Sequence, residues 1–435
     1  MRKDTLGLIQ EAIDFMEENL KSEIVIGELS KRAGYSEYHF CQLFQMATGL
    51  SVKRYLVCRR LKHGAYEISR GAKKQEVAFS YGFDTYAGFY KAFYREYGMS
   101  PSEYLKNYRP SVPNRVNLLQ EGKVMISKKI LVKLLAHWGM ENSPVNNIYY
   151  EGSNQVSENE FQVGENFVLK VSGLPGGLKR HMEIAEALEK VGLHASVPMA
   201  TKEGELLVQE GDIYAILCKR VQGTKMSGRE MFATCDVRAA YRFGVLIGKL
   251  HQALAKLDAR LCGENRLHDT VNGWAIPAVQ KKMNLSQELV AEYKKCFCEV
   301  YDKLPKQLIH RNMNLSYVYL NGDEMAGVTD FELSEYCIRL FDVCYAATGI
   351  LSENFKDEDK TIEQWLKLYK NIIRGYDEVI GLTKEEKQVL PYVVFSIQLI
   401  CVAYFADKEQ FAELAKVNEM MLIRLMENEE KLRLE

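Results

Sequence analysis

The chain has 435 residues, 47% of them apolar and 26% charged, and a formal net charge of −1. These values describe an ordinary globular chain long enough for two or three domains, each able to bury a full core. The longest apolar run, residues 392–406, has only 15 positions and contains Ser396 and Gln398, so it is expected to be a buried helix rather than a membrane span. Met1-Arg2-Lys3 is followed at once by Asp4, Gln10 and Glu11 rather than by an apolar signal core, so a cytoplasmic location is expected. Ten cysteines lie scattered without a repeated CxxC spacing and read as reduced thiols, and the lone Cys296-Phe297-Cys298 is not read as a metal site. Residues 1–110 hold 17 Lys and Arg against 13 Asp and Glu, a net +4, whereas the remainder holds 40 against 45, a net −5. A basic N-terminal part suits contact with phosphates.

In chain order, the first predicted helix spans residues 5–20 and sets Ile9, Ala12, Ile13, Met16 and Leu20 on one face. A helix over residues 22–33 follows, then a turn at Gly34-Tyr35 and a helix on which Phe40, Leu43 and Phe44 face inward. Glu37, Tyr38, Cys41, Gln42 and Gln45 are left facing outward. A connecting helix of about 18 residues, roughly 27 Å long, leads to residues 74–101, KQEVAFSYGFDTYAGFYKAFYREYGMSP, where the pattern repeats. Val77 and Ala78 sit on a short helix, Gly82 supplies the turn, Asp84 or Thr85 caps a second helix, and Phe89, Phe93 and Tyr97 recur every four residues along it. Ser100-Pro101-Ser102-Glu103 then offers an N-cap, a proline at the first helical position and a capping glutamate for the next helix.

The two copies are in register. Ser36, Phe40, Phe44, Gly49, Ser51 and Tyr55 recur 49 positions later as Thr85, Phe89, Phe93, Gly98, Ser100 and Tyr104, and Gly34-Tyr35 recurs 48 later as Gly82-Phe83. Two helix-turn-helix units joined by one helix can set two reading helices near one DNA turn apart, about 34 Å. On the second reading helix the outward residues are Tyr86, Ala87, Tyr90, Lys91 and Arg95. Glutamine bonds adenine edges, lysine reaches guanine or phosphate, and tyrosine meets thymine methyls or the backbone. The succession GYSEYHFCQLFQMATGLS, YLVCRRLKHGAYEI and EVAFSYGFDTYAGFYKAFYREYGMSP resembles the DNA-binding domain of AraC/XylS transcription regulators over residues 5–109. Gln42 stands where that family commonly carries an arginine. The resemblance implies double-stranded DNA as a partner.

Arg109-Pro110-Ser111-Val112-Pro113 closes the helical pattern, which assigns residues 1–109 to this domain and 110–127 to a linker. Residues 128–139 read as a helix, residues 148–150, 160–163, 167–171, 206–209 and 213–218 as strands, and residues 178–191 as a helix among them. They form a small β-rich lobe, 128–222. From Arg229 onward the pattern is helical to the end apart from a strand-like break at 308–331, giving a helical lobe, 223–435. The expected fold class is multidomain, an all-α tandem helix-turn-helix domain followed by an α+β bilobal domain.

Residues 145–350 resemble aminoglycoside phosphotransferases and choline kinases, relatives of the protein kinases. SENEFQV followed by VLKV, LIGKLHQAL at 246–254, and His310-Arg311-Asn312-Met313-Asn314-Leu315-Ser316-Tyr317 carry the resemblance. It implies a protein-kinase-like fold in which Lys170 holds nucleotide phosphates, Glu183 or else Glu186 partners that lysine, Asp330 of VTDFE binds a metal, and Asp342 is structural. The cofactor implied is ATP or GTP with magnesium. In this loop the family's acid is replaced by Asn312 and its metal-binding asparagine by Tyr317, and the hairpin is poor in glycine, with Gly152 alone before Asn159. A carboxamide has no useful basicity, and the lost proton transfer is worth roughly 10² to 10⁴ in rate. No intact catalytic set is therefore expected around His310, Asn312 and Tyr317, and the domain is expected to be a pseudokinase-like binder rather than an enzyme. The chain as a whole reads as an AraC-type regulator whose second domain senses a small-molecule effector or forms a homodimer. The alternative is an active kinase of small hydroxylated molecules with a DNA-binding appendage.

Overall fold

The structure, a computed structural model, describes residues 3–48, 50–97, 99–107, 110, 113, 126, 128–150, 155–211, 213–283, 285, 287–406 and 412–434. But for three single positions the expected linker lies outside the described residues, as does Gly152. The chain divides into two compact units, Met1–Leu178 with Pro198–Lys219, and Lys179–Val197 with Arg220–Glu435.

The first unit opens with seven helices: α1 (Lys3–Glu18), α2 (Ile26–Arg32), α3 (Glu37–Thr48), α4 (Val52–Ser69), α5 (Lys74–Ser80), α6 (Tyr86–Tyr97) and α7 (Pro101–Asn107). Helix α2 starts four residues later than its periodicity suggests, because Val25 before it is extended and provides no side-chain cap. Both helix-turn-helix turns are built alike. Gly34 and Gly82 each take φ +73°, a left-handed conformation that suits glycine. Tyr35 N–H bonds the carbonyl of Ser30 at 2.9 Å and Phe83 N–H that of Ala78 at 3.1 Å, so each support helix ends in the same six-to-one closure. Thr85 Oγ1 accepts from the Gly88 amide at 3.0 Å and is the cap of α6, while Ser100 and Glu103 exchange bonds of 3.2 and 2.8 Å as a capping box for α7. One core unites both copies, with Phe40, Phe44, Tyr55, Phe89 and Phe93 fully buried. Each such side chain contributes about 1.5–3 kcal/mol.

A buried ion pair ties α1 to α4. Arg59 donates to both Glu17 carboxylate oxygens at 2.7 Å, and Tyr55 hydroxyl donates to Glu17 at 2.6 Å. Burial alone would raise the Glu17 pKa, but His63, Arg59 and Tyr55 outweigh it and bring it down to about 2.

Also in the first unit, strands β1 (Val145–Tyr150), β2 (Gln155–Val163), β3 (Phe167–Ser172), β4 (Val208–Glu210) and β5 (Ile213–Lys219) form an antiparallel sheet in the order β1-β2-β3-β5-β4. Helix α8 (Lys128–Ala136) brings Leu131, Leu134 and Leu135 to a core shared with Phe161, Leu169, Val171 and Leu217. Trp138 Nε1 donates to the Met199 carbonyl at 2.9 Å at its edge.

The second unit takes in the chain from Lys179, within helix α9 (Pro175–Lys190), and then the short helix α10 (Gly228–Thr234) and the long helices α11 (Val237–Leu254), α12 (Leu340–Asn354), α13 (Asp359–Ile380), α14 (Lys384–Ala406) and α15 (Ala412–Glu427). Helices α11 and α13 cross at two glycines. A Cβ on Gly244 would stand 1.9 Å from the Ile372 carbonyl oxygen, and one on Gly375 2.0 Å from that of Tyr241. Two short antiparallel pairs break the helical run: β6 (Lys306–Ile309) with β9 (Glu335–Ile338), and β7 (Val318–Asn321) with β8 (Glu324–Val328). Strand β9 lies beyond the break expected at 308–331. Over Lys384–Phe405, α14 is long and apolar enough to cross a membrane by length and composition, and 72% of that window is buried inside the protein.

Candidate functional site

On the first reading helix, α3, Glu37, Tyr38, Gln42 and Gln45 are exposed, as expected. Gln42 amide donates to Tyr38 hydroxyl at 2.9 Å, so two of them present a joined polar edge. Cys41 differs. It is half-buried and packs on the core, because it follows Phe40 on the shoulder of the apolar stripe. On α6, Ala87, Tyr90, Lys91 and Arg95 are exposed, whereas Tyr86 is half-buried and stacks on Phe89 at 6.1 Å. Sequence reasoning passed over Tyr94, which is 52% exposed and lies in parallel with Tyr90 at 6.5 Å. Its spacing of four from Tyr90 was the available signal.

In the sheet of the first unit, Lys170 on β3 is buried and stands opposite Glu160 on β2, whose carboxylate its ammonium meets directly. This acid was not foreseen. Glu183 is exposed and Glu186 half-buried on α9.

In the second unit a loop from the end of β6 to the start of α12 carries the remaining residues. Asp342 anchors it. Its fully buried carboxylate accepts from the backbone N–H of His310 at 2.7 Å and of Arg311 at 2.8 Å, and from His251 Nε2 at 3.0 Å. Burial works to raise its pKa, and His251 with these amides reverses that, leaving it below the ordinary aspartate value. The His310 ring is fully buried, donates Nε2–H to the Thr329 carbonyl at 2.8 Å and stacks on Tyr317 at 5.7 Å. Its Nδ1 is buried with no hydrogen-bond partner among the described residues, so only one of the two ring nitrogens is satisfied. Arg311 and Asp330 take φ +71° and +73°, a conformation costing about 1–3 kcal/mol for residues other than glycine.

Asn312, where the general base is expected, has its amide 3.3 Å from both Asp330 Oδ2 and Tyr317 hydroxyl, while Tyr345 hydroxyl donates to its oxygen at 3.3 Å. Burial pushes the Tyr345 phenol up to about 12, so it remains a donor. Asp330 and Glu332 hold carboxylate oxygens within 4.8 Å of each other. Two hard oxygen donors at that separation fit magnesium. Glu332 was missed although it lies inside the VTDFE segment, two residues beyond Asp330. Beside this loop a cavity of about 520 Å³ is lined by Arg180, Asn265, Asp269, Ser334 and Glu335. Arg311 binds Glu335 at 2.6 Å and covers the Phe341 ring at 3.7 Å. Burial holds the Glu335 pKa above the usual glutamate value against the opposing pull of Arg311.

Comparison with known proteins gives both regions a family. Residues 29–107 match the helix-turn-helix domain family and residues 153–382 the phosphotransferase enzyme family. The Tn10 TetD protein of Escherichia coli is 31% identical over 102 residues, which cover 23% of this chain and 73% of that protein. The HTH-type transcriptional activator AarP of Providencia stuartii is 28% identical over 99 residues, 22% of this chain and 73% of that one. Among solved structures, amicoumacin kinase hAmiN in complex with AMP-PNP, Ca²⁺ and its ligand covers 71% of this chain and 94% of its own, at 13% identity and a TM-score of 0.52. That likeness establishes the aminoglycoside-phosphotransferase-like fold.

The family match corrects the expectation that the second domain is not an enzyme. That reading rested on Asn312 and Tyr317 alone. Its physical weakness is that phosphoryl transfer proceeds through a loose transition state and depends mainly on positioned charge, so the identity of one loop acid does not decide membership of an enzyme family.

Proposed function

We infer, from a chain that belongs to the phosphotransferase enzyme family and carries an AraC-type helix-turn-helix domain, that it is a DNA-binding transcription regulator whose second domain transfers a phosphoryl group from a nucleotide to a small hydroxylated molecule. The observation that carries the enzymatic half is the Asp342-anchored loop, which presents Asp330, Glu332 and Asn312 together on a framework held by buried hydrogen bonds to Asp342.

The roles follow the chemistry of each group. Lys170 supplies positive charge to nucleotide phosphates. Asp330 and Glu332 would hold magnesium, which when bound would neutralise charge on the phosphate oxygens. Asn312 accepts a hydrogen bond from the substrate hydroxyl and orients it. The hydroxyl oxygen bonds to the terminal phosphorus, the bond to the bridging oxygen breaks, and the nucleoside diphosphate leaves. The hydroxyl proton passes to solvent, because a carboxamide cannot take it. On DNA, Gln45 and Lys91 read base edges or phosphates from α3 and α6. For the second domain to regulate the first, its ligand must bind DNA-competent and incompetent states with different affinity.

The test is thermal unfolding of the full chain with ATP or GTP, with and without magnesium. Ligand at 100 times its dissociation constant adds about 2.7 kcal/mol. A magnesium-dependent rise in Tm supports the reading, and the absence of any shift with either nucleotide rejects it.

A further inference from the structure

Two side chains on α9 grip the backbone just after Asp330. His181 is fully buried and uses both ring nitrogens in opposite senses: Nε2–H donates to the Ser196 carbonyl at 2.8 Å, and Nδ1 accepts from the Phe331 amide at 3.2 Å. Its neighbour Arg180 donates from Nη1 to the Glu332 carbonyl at 2.7 Å. A third tie lies upstream, where Val328 N–H bonds the His194 carbonyl at 3.0 Å. The segment that leads into and out of Asp330 is therefore held by α9 and by the turn that follows it.

These bonds fall on the peptide groups beside a residue in a strained conformation. Asp330 takes φ +73° without the freedom of glycine, and such strain persists only where the surroundings impose it. Phe331 also has its ring against the His181 imidazole at 5.9 Å, so the helix constrains its backbone and its side chain together. A packing role alone would be met by any apolar side chain of that size. It would not call for a buried imidazole with a donor aimed at one carbonyl and an acceptor aimed at one amide.

We propose that His181 and Arg180 are positioning residues that hold Asp330 in its left-handed conformation, and so set the affinity of its carboxylate for the metal that accompanies the nucleotide. The inference rests on the phosphotransferase reading given above. Partners one step removed from a metal ligand typically change metal affinity by 10- to 100-fold when lost.

The experiment is calorimetric titration of the full chain with AMP-PNP, in Mn²⁺ and in EDTA, for wild type, His181→Phe, Arg180→Met, Asp330→Asn and the His181→Phe/Asp330→Asn pair. His181→Phe keeps an aromatic ring against Phe331 and removes both hydrogen bonds. Its affinity in EDTA should stay near wild type, its melting point without ligand should fall because the Ser196 carbonyl and the Phe331 amide lose their partner, and the gain in affinity conferred by Mn²⁺ should fall by about 10-fold or more. Arg180→Met should lose less, having given up one bond, and it carries the same test should His181→Phe fail to fold. In the Asp330→Asn background the His181 substitution should have no further effect on the Mn²⁺ gain, since it acts through that carboxylate. A wild-type Mn²⁺ gain in both single variants, or additive losses in the pair, overturns the proposal while leaving nucleotide binding intact. Failure of wild type to bind AMP-PNP in either condition overturns the phosphotransferase reading and this proposal with it.

Discussion

Replacing Asn312 by aspartate puts a second carboxylate where an amide now stands 3.3 Å from Asp330 Oδ2. Two unit charges at that distance repel by about 5 kcal/mol at an effective dielectric constant of 20, and by about 1 kcal/mol in bulk water. Both positions are half-buried, so the cost lies between these values. It can be relieved by a proton or by a cation. Without metal, one carboxyl of the pair has its pKa raised above the unfolded value, so the Asn312→Asp variant is less stable than wild type at pH 8 and close to it near pH 4, the deficit growing as pH rises through the unfolded carboxyl range. Magnesium with nucleotide should erase the deficit. The same variant restores a general base, worth roughly 10² to 10⁴ in rate, and release of phosphate from ATP or GTP should rise by at least the lower figure. Differential scanning calorimetry at the two pH values, with and without magnesium, and a phosphate-release assay read the two effects separately. If neither the melting profile nor the rate moves, residue 312 is not where the phosphoryl group is transferred, and the roles given to Asp330 and Glu332 fall as well.

Gly244→Ala should prevent folding of the second unit or destabilise it by more than the usual 1–3 kcal/mol of overpacking, because its new Cβ meets the Ile372 carbonyl oxygen at 1.9 Å; urea unfolding showing a change below about 0.5 kcal/mol would contradict the helix crossing. Glu17, brought to a pKa of about 2 from the ordinary 4.5, contributes stability that is complete above pH 4.5 and is lost as pH falls towards 2. Arg59→Met should cost up to about 3–5 kcal/mol by leaving that carboxylate buried with only His63 and Tyr55 to meet it, with hydrogen exchange in α1 and α4 speeding up; exchange at wild-type rates would show that the pair is not the tie between those helices. Gln45→Ala and Lys91→Ala should each weaken binding to a selected operator by about 1–3 kcal/mol where they reach base edges, and gel-shift titrations giving wild-type affinity for both would mean that α3 and α6 present other faces to DNA.

The tandem helix-turn-helix was legible because its determinants are local. Phe40 with Phe44, and Phe89 with Phe93, are four residues apart, and the turn glycines and the Ser100–Glu103 box act within a few residues of themselves. The limit of such reasoning shows at Cys41 and Tyr86, which lie on the border of the apolar stripe, where a face assigned by spacing alone cannot say which way the boundary falls. Other residues were within reach of the sequence. Strands were expected at 160–163 and 167–171, and a tight turn centred on Glu165 pairs residue 160 with 170, so Glu160 could have been named from register alone.

His181 and Asp342 mark what spacing cannot reach. His181 meets Phe331 across 150 residues and Asp342 meets His251 across 91, and only the fold brings such partners together. Asp342 was named nonetheless, through family resemblance, and the framework it anchors is intact. The expectation that the second domain is not an enzyme, which the family match corrects, failed at a different step. It weighed Asn312 and Tyr317 as lost chemistry, when the loop's buried hydrogen bonds still present Asp330 and Glu332 side by side. In a reaction governed by placement of charge, the framework that positions the carboxylates carries more weight than the identity of the one side chain that would take the proton. The restored base in Asn312→Asp and the loosened clamp in His181→Phe perturb these two contributions separately, so comparing phosphate release in the two variants tests which matters more to the proposed reaction.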